Sequence, residues 1–510
     1  MKRRFKKIKR NTVILFFAAI LAVSQMIACS STQSISKTKS SNLDGESNNK
    51  PEMPPSMDNE RPNPPDMNGE RPTPPNGFGG GPNGGPSDGP GGMPGGGNSK
   101  PDSYEAINVY DENQSVSGLN IESTKSDESA ILVENSANVN IDNFTIIRKS
   151  SDSTGGDSAS FYGVGASALV TDGTLTLSNG TITTDSKGGA GVFAYDKGIA
   201  YVNDVTINTE QDTSGGIHVA GGGTLYATNV IATTNGGSSA AIRSDRGGGT
   251  MIVNGGTFIS NGAGSPALYC TADITVNDAT LVANGSEGIC IEGLNTTTLK
   301  NVDLTSNMPD QSQNDNTWSV IVYQSMSGDS KIGKGTFNMD GGTLTSKNGG
   351  IFYTTNTESE FNITNVDLKP SYDFEFLLQA TGNNNKRGWG TTGKNGANCT
   401  FNANYQEMNG KIIYDSISTL NLNLLNETTF TGAILNDESF TGGTVGSGTA
   451  NVTIDDNSKW IVTKNSKVTS LTLKGSLIDI DGNNVKVVDT NGNVLRDGSS
   501  EYVVTADNLS

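Results

Sequence analysis

The sequence predicts an all-β fold, a β-solenoid preceded by a disordered Pro/Gly-rich linker. A six-residue phrase recurs in ten copies, from "IDNFTI" at 141 through "VNDATL" at 276 to "ITNVDL" at 363 and "FNANYQ" at 401. Six of the nine steps between copies are 23 to 26 residues, without a helical pattern between them, and this period is typical of solenoids. Only 33% of the residues are hydrophobic, which favours a thin, extended core over one large core.

The pattern of the first 28 residues predicts a secretory signal. Seven basic residues between Lys2 and Arg10 precede the apolar run "TVILFFAAILAV", which is too short for a comfortable transmembrane helix. The run ends in "MIAC", which resembles the bacterial lipobox except that Met26 stands where Leu is usual. The resemblance implies a lipid on Cys29 and a protein anchored to the extracellular side of the cell membrane. Soluble secretion after ordinary cleavage is the alternative.

Residues 29–100 predict a disordered linker. They are rich in Ser, Asn, Pro and Gly, have no apolar periodicity, and repeat "MDNERPNPPD" as "MNGERPTPPN" at 57 to 76. Such a segment cannot bury enough apolar surface to fold. Its Pro-rich half is stiff and its Gly-rich half flexible, so we expect a spacer that holds the solenoid away from the membrane. A Pro-rich ligand for a partner domain is the alternative.

Charge and cysteine content exclude other classes. Without the signal the chain keeps 28 Lys and Arg against 53 Asp and Glu, a net charge of about −25, which would repel nucleic acid. Cys270, Cys290 and Cys399 are odd in number and form no CxxC motif, so neither a disulfide framework nor a zinc site is indicated. Cys270 is expected to point inward and Cys290 outward, and Cys399 to be a buried thiol.

The phrase itself predicts a corner between two strands. Its first position is apolar in every copy, and so is the residue two before it in all copies but one, which places both on one face of a strand. Asn and Asp at its third position tolerate a left-handed backbone, so the chain is expected to bend there. These residues are Asn143, Asn179, Asp204, Asn229, Asp278, Asn301 and Asn365.

A second strand follows each corner, as in "GGIHVA" at 215 and "AAIRSD" at 240. Alternation predicts an inward row of Val192, Ile217, Ile242, Leu268, Ile289 and Ile351. It predicts an exposed outward row of Leu132, Phe193, His218, Arg243, Tyr269, Cys290 and Phe352. A second outward row contains Glu134, Tyr195, Asp245, Glu292 and Thr354.

This arrangement resembles the right-handed parallel β-helix of the pectate-lyase-like superfamily, as used in bacterial surface adhesins. The segment "NVTIDDNSKWIVTKNSKVTSLTL" at 451 to 473 also resembles the closing coils of secreted β-helix passenger domains. The resemblance implies a parallel β-helix over residues 101–480. Two strands about "DTNG" at 489 to 492 then predict a C-terminal hairpin cap over residues 481–510. The fold hosts lyases, hydrolases and adhesins alike, so it leaves the activity open.

The preferred function is adhesion or polysaccharide binding without catalysis, and no cofactor is required for it. We expect a monomer whose partners are the membrane and an extracellular or cell-surface glycan. Eight side chains of the outward rows are candidate ligand-binding residues: Phe193, Tyr195, His218, Arg243, Asp245, Tyr269, Glu292 and Phe352. The alternative is a divergent Ca²⁺-dependent polysaccharide lyase or glycoside hydrolase that uses the charged members of the set. The long loops at 316 to 325 and 382 to 393 could instead pack over the aromatic residues.

Replacing Cys29 tests the anchor. The Cys29→Ala variant should be exported but should no longer partition with membranes, because acyl chains supply the binding energy, about 0.8 kcal/mol per buried CH₂. Fractionation after a high-salt wash measures this partition. A variant that stays with the membrane would show that lipidation of Cys29 is not the anchor.

Overall fold

A computed structural model describes residues 100–372 and 374–510. The signal segment, Cys29 and all of the linker but its last residue lie outside these residues, so their structure stays a prediction. The described part is almost wholly β, with one α-helix, α1 (Gly156–Tyr162), and a short 3-10 helix at Glu438–Phe440. The all-β prediction is confirmed.

The described strands follow one another closely along the chain. The first eleven are β1 (Ala106–Tyr110), β2 (Gln114–Ser117), β3 (Asn120–Ser123), β4 (Ser129–Val133), β5 (Ala137–Ser150), β6 (Ala168–Ser186), β7 (Val192–Thr209), β8 (Ile217–Ala220), β9 (Gly223–Thr228), β10 (Ile231–Thr234) and β11 (Ile242–Ser244). The next twelve are β12 (Gly249–Asn254), β13 (Thr257–Ser260), β14 (Leu268–Cys270), β15 (Asp273–Asn277), β16 (Thr280–Ala283), β17 (Ile289–Glu292), β18 (Thr296–Ser306), β19 (Val320–Tyr323), β20 (Lys334–Ser346), β21 (Phe352–Thr355), β22 (Glu358–Thr364) and β23 (Asp367–Lys369). The last twelve are β24 (Leu378–Ala380), β25 (Asn398–Asn404), β26 (Glu407–Tyr414), β27 (Thr419–Leu425), β28 (Thr429–Asn436), β29 (Thr449–Ile454), β30 (Lys459–Val462), β31 (Ser466–Leu473), β32 (Ser476–Ile478), β33 (Lys486–Val488), β34 (Val494–Arg496) and β35 (Val503–Leu509).

Successive coils of chain pair in parallel and in register, and they form three ladders. Ladder A contains β2, the first parts of β5, β18 and β20, the middle parts of β6 and β7, and β9, β12, β15, β22, β25, β27, β29 and β31. Ladder B contains β3, the later parts of β5, β6, β7, β18 and β20, the first parts of β26 and β28, and β10, β13, β16, β23, β30 and β32. Ladder C contains β1, β4, the first parts of β6 and β7, β8, β11, β14, β17, β19, β21, β24 and the last parts of β26 and β28.

The recurring phrase forms the corner between ladders A and B. All seven Asn and Asp residues at its third position have φ between 50° and 55°, and Gly255 and Gly341 take the same left-handed region in two further copies. The predicted bend is therefore confirmed, and its cause is the low cost of this backbone for Asn, Asp and Gly. The last copy begins two residues later than expected, at Ala403, because Ala403 pairs with Ile363 and the left-handed residue is Tyr405.

The core lies inside the coils as a continuous apolar column. Ile242 is fully buried and pairs with Ile217 on the preceding coil and Leu268 on the following one, as predicted. Further along, the core is filled by contacts among the rings of Phe337, Phe352, Phe361 and Phe401. Stacking each inward residue on its equivalents gives a long core from a modest number of apolar residues.

Two predicted outward residues, Phe352 and Thr354, are wrong by one place, because Thr354 pairs with the inward Val322. Phe352 pairs with Val320 and belongs to the inward column, while Tyr353 takes the outward place. The sequence pattern predicts that Val320–Tyr323 belongs to a long loop. These residues instead form β19, a full strand of ladder C. Ile351 stands at the turn that precedes the strand, where its carbonyl accepts from the backbone N–H of Val320. The large Phe352 ring then fills the core between Phe337 and Phe361.

The C-terminal end changes its pairing. β33 and β34 form an antiparallel hairpin, and β35 runs parallel to both β31 and β33. In the hairpin turn the Asp489 carboxylate accepts from the backbone N–H groups of Asn491 and Asn493, and Asp479 makes the same bonds to Asp481 and Asn483 in the loop before it. The Asp side chains thus accept hydrogen bonds from the backbone N–H groups of both turns.

In the described part of the chain, no helix has both the length and the apolar character needed to cross a membrane.

Replacing Ile242 tests the register of the core. Ile242→Ala should lower the free energy of unfolding by about 2–5 kcal/mol, because it leaves a cavity between Ile217 and Leu268. Thr250→Ala is a matched control, since Thr250 is an exposed residue of the same coil and should change stability by about 0.5 kcal/mol at most. Denaturant unfolding of both variants gives the comparison. Equal midpoints would contradict the register described here.

Candidate functional site

The outward side of ladder C brings most of the predicted ligand-binding residues together. Phe193, His218, Arg243 and Tyr269 are register partners on four successive coils, and Cys290 follows Tyr269. Asp245 and Glu292 stand two residues beyond Arg243 and Cys290, at the end of the same face. The predicted offset of Cys270 and Cys290 is confirmed, and all three cysteines of the described part are buried and free.

The prediction that this face is exposed is wrong. Phe193, His218 and Glu292 have at most 1% of their surface exposed, and the others at most 8%. The members of this buried set are Phe193, Tyr195, His218, Arg243, Asp245, Tyr269 and Glu292, and Phe352 lies in the inner core. Chain segments between the strands cover the face, so a second, outer core forms over ladder C.

The alternative of covering loops is correct in part, because the loop at 382 to 393 places Trp389 on Tyr323 with ring centroids 4.5 Å apart. Phe193 and Tyr195 are covered by α1 and the residues that follow it, and Val320–Tyr323 of the predicted loop at 316 to 325 form a strand.

Helix α1 covers the first part of the face. Gly163 ends the helix with a left-handed backbone, and a Cβ there would lie 2.7 Å from the Leu169 side chain and 3.0 Å from Phe193. Glycine therefore lets the helix end sit directly on ladder C. The Tyr162 ring packs edge to face on Tyr195 with centroids 5.8 Å apart.

A buried ionic group lies under the helix. Asp245 Oδ2 is 2.6 Å from Arg243 Nε and 2.9 Å from His218 Nε2. Arg243 also donates to the Ser238 carbonyl and, over 2.9 Å, to the Ser160 hydroxyl of α1. The His218 ring packs on Phe193 with centroids 4.1 Å apart, and neither of its nitrogens has an aligned hydrogen-bond partner. Arg243 thus joins the helix to the strand below it.

Burial and pairing fix the charges of this group. Burial lowers the pKa of His218 from 6.5 to about 4, although Asp245 opposes the shift, so the imidazole is neutral at pH 7. Burial tends to raise the pKa of Asp245, but Arg243 and His218 outweigh it and lower that pKa. The group therefore carries one paired positive and one paired negative charge.

Glu292 forms a second buried polar group. Its Oε2 accepts from the hydroxyls of Tyr269 and Tyr323, each over 2.9 Å, and its Oε1 accepts from Ser325. Burial raises the pKa of Glu292, while these three hydroxyls oppose the shift. The carboxylate is therefore held by neutral donors with no cation beside it.

Arg246 connects the Glu292 group to the helix through Asp329. Its Nη2 donates to Asp329 Oδ1 over 2.8 Å, and its guanidinium lies over the Phe161 ring of α1 at 4.1 Å. Asp329 in turn accepts from Ser327, whose hydroxyl lies 3.4 Å from Glu292 Oε1. A belt of polar side chains thus runs under the cover from His218 to Glu292.

The belt is closed to a large substrate. A general base must come within hydrogen-bond reach of the substrate proton, yet Asp245 and Glu292 are buried and already accept hydrogen bonds from other side chains or pair with them. Among residues 100–372 and 374–510, no group of three or more His, Cys, Asp or Glu is placed to hold a metal ion. As arranged here, the belt ties the cover to ladder C.

A small cavity of about 10 Å³, with room for about one water molecule, lies in the other part of the cover. The loop that ends at Trp318 and the loop that contains Trp389 meet over Tyr353, and the lining also includes Asn314 and Asn383. The Trp318 ring lies 5.0 Å from Tyr353 and 6.1 Å from Trp389 between centroids. Three aromatic rings from two loops and one strand therefore build its apolar wall.

Buried donors without partners lie in this lining. Trp318 Nε1 and Asn314 Nδ2 are inaccessible and make no hydrogen bond. The Tyr353 hydroxyl is close to Thr355 but has no aligned partner either. An unsatisfied buried donor costs about 1–3 kcal/mol, so these groups favour a bound molecule that presents oxygen acceptors.

Charged side chains surround the cavity. Lys386 Nζ lies 3.2 Å from Asp315 Oδ1 and donates to the Asn314 carbonyl, and Arg387 donates to Asn314 Oδ1. The Arg387 guanidinium lies 5.6 Å from the centre of the Trp389 ring. Both cations line the cavity and are held there by Asp315 and Asn314.

The sequence pattern did not predict this cluster of aromatic residues. The sequence holds only three Trp, and two of them stand in the long loops "DNTWSVIVYQ" and "GNNNKRGWGTTG". Their composition could have indicated a site, because Trp is rare in solvent-exposed connections. The contact between loops some 70 residues apart could not be seen in either loop alone.

Comparison of the chain with known protein families gives no match, and comparison with curated proteins gives none either.

The titration of His218 gives a pH test of the buried ionic group. The folded protein keeps His218 neutral down to about pH 4, whereas the unfolded chain takes up a proton near 6.5. Stability due to this difference is therefore complete above 6.5 and lost as the pH falls towards 4. The unfolding free energy of the wild type minus that of His218→Gln should drop by up to about 3 kcal/mol across this window.

Denaturant unfolding at several pH values measures that difference, and the absence of any other His in the chain makes the assignment direct. Parallel pH profiles for the two proteins would show that His218 is not buried as a neutral group.

Proposed function

We propose that the protein binds extracellular carbohydrate and acts in adhesion, as a lipid-anchored protein of the bacterial surface. The proposal includes the finer fold, a right-handed parallel β-helix of the pectate-lyase-like kind, which the in-register parallel ladders support. In this arrangement Cys29 is the anchor and residues 29–100 are the spacer. The protein then works as a monomer that presents the coils away from the membrane.

The aromatic cluster of Trp318, Tyr353 and Trp389 is the observation that carries the proposal. Its rings are at most 5% exposed and enclose about 10 Å³, so a sugar reaches them only when Lys386 and Arg387 move aside. A sugar ring combines apolar C–H faces, which pack on aromatic rings, with hydroxyl oxygens, which accept hydrogen bonds. The lining supplies both complements: the aromatic wall, and the unpartnered donors of Trp318 and Asn314. The charged pair of Lys386 and Asp315 can donate to and accept from further hydroxyls at the entrance.

A polysaccharide lyase or glycoside hydrolase is the second candidate, with Ca²⁺ as its cofactor in the lyase case. It is favoured by one observation, the meeting of Arg243, Asp245 and Glu292 on one face. The burial of all three under α1 and the loop before β20 favours binding instead, because a substrate would first have to displace the cover. Incubation of the full chain with polygalacturonate, with and without Ca²⁺, detects a lyase by the absorbance of unsaturated product and a hydrolase by the release of reducing ends.

The replacement of Trp by Phe at two different positions tests this site. Trp318→Phe keeps an aromatic ring and removes the unpartnered N–H, so binding of sugars found on a glycan array should weaken by roughly fivefold or more. Trp460→Phe is the control, because the Trp460 N–H donates to Gly432 in the core, far along the chain from the cavity. It should lower the unfolding midpoint and leave binding unchanged.

Titration calorimetry and thermal unfolding of both variants give the two readings. Binding that is lost equally in both variants, or in neither, would contradict a role for Trp318. Failure of the wild type to bind any glycan would overturn the proposed function.

A further inference from the structure

The outward side of ladder A is an open face, unlike that of ladder C. One column of register partners runs over twelve coils from Asn140 to Thr453. It consists of five Asn, four Thr, two Tyr and one Ile, and every member is partly or fully exposed. The column therefore offers amides, hydroxyls and apolar surface without a single charge.

The neighbouring column on the N-terminal side of each strand is almost as neutral, whereas the column on the other side carries Asp142, Lys300 and Asp340. The N-terminal column runs over twelve coils from Asn138 to Asn451, and its charged members are Asp273 and Glu360. Lys334 forms an ion pair with Glu360, so Asp273 contributes the remaining charge. This is unusual for a chain whose formal net charge is −18, because its acidic groups lie mostly elsewhere.

An amide ladder gives the face a regular polar pattern. Asn362 donates to Asn338 over 2.9 Å, Asn402 to Asn362 over 2.7 Å and Asn423 to Asn402 over 2.8 Å. Each link uses one N–H and one oxygen lone pair, so an Asn side chain keeps further donor and acceptor capacity for a ligand. At Asn362 part of that capacity goes to Glu360, 3.2 Å away. The pattern repeats once per coil, about every 4.8 Å.

Two tyrosines supply an apolar part of the column. The rings of Tyr201 and Tyr226 are stacked with centroids 4.9 Å apart and planes at 11°, and Ile252 follows Tyr226. Tyr201 has 39% of its surface exposed. The stacked rings are already ordered, so packing a ligand along them costs little side-chain entropy.

We propose that the two columns of ladder A bind a neutral, linear polysaccharide that lies along the stack of coils. The inference rests on the proposed carbohydrate-binding function and assigns it a second surface and a ligand class. A neutral polymer fits because the face has almost no cations to hold a polyanion, which the acidic protein as a whole would repel. A linear polymer fits because its repeating hydroxyls meet donors and acceptors that repeat at fixed spacing.

Dependence on chain length separates this surface from the cavity. Each further sugar contacts another coil of ladder A, so affinity should rise steadily with oligosaccharide length, whereas the cavity at Trp318 has no repeating surface along which affinity could grow. Cello-oligosaccharides of two to six units and hydroxyethyl cellulose are neutral probes, and polygalacturonate is the anionic control. The full chain should bind the neutral probes with affinity that increases with length, and should bind polygalacturonate more weakly.

Two substitutions on the face and two controls complete the test. Tyr226→Ala and Asn402→Asp should each reduce binding of the longest probe by roughly three- to tenfold, since they remove an aromatic contact and place a charge in the amide ladder. Thr343→Asp adds the same charge to the outward side of ladder B and should have no effect. Trp460→Phe should leave the length dependence intact, because Trp460 is buried in the core and donates to Gly432. Circular dichroism spectra and unfolding midpoints confirm that each variant is folded.

Several outcomes would overturn the inference. If both face variants bind normally and Trp318→Phe does not bind, the polysaccharide binds at Trp318 and not on ladder A. Preference for polygalacturonate, or affinity that does not change with length, would exclude a neutral linear ligand. Self-association in sedimentation that Tyr226→Ala abolishes, without glucan binding, would assign the face to a second copy of this chain. Failure to bind any polysaccharide would remove both this inference and the proposed function.

Discussion

Backbone hydrogen bonds between successive coils hold equivalent residues one strand spacing apart, and the other features of the described structure depend on this register. It places Ile217, Ile242 and Leu268 in one inward column, so that each coil buries the apolar face of the next. The same register stacks Asn362 on Asn338 and Tyr226 on Tyr201 outside. Asn, Asp and Gly at the corners keep it constant, because their left-handed backbone turns the chain at the same place in each coil.

The three outward faces differ in solvent exposure because the connections between strands differ in length. Most turns between ladders A and B consist of a few residues and leave both faces open. The connections that lead into and out of ladder C include α1 and the long segments before β19, before β20 and after β24, and they fold back over that ladder. Burial under them makes unpaired charge costly, which explains why Asp245 is paired with Arg243 and why Glu292 has three hydroxyl donors.

The cover changes where binding is to be expected. A row of aromatic and charged side chains on a strand face suggests direct contact with a ligand, yet Phe193 and Arg243 serve to hold α1 in place. The ligand-accessible chemistry lies on the open face of ladder A, where Tyr201 is exposed. Trp318 and Trp389 are themselves buried, so the loops that carry them must move before a sugar can reach the rings.

The sequence by itself determined the all-β class, the corners, the inward columns and the order of residues along most of ladder C, because these follow from local backbone preference and a period of two along each strand. It failed at Phe352, since a long insertion hid the strand at Val320 and shifted the alignment by one residue. Only the tertiary structure decided which face is open. Burial of Tyr269 and Glu292, and the cavity between Trp318 and Trp389, arise from contacts between segments distant in sequence, whose packing no local pattern records.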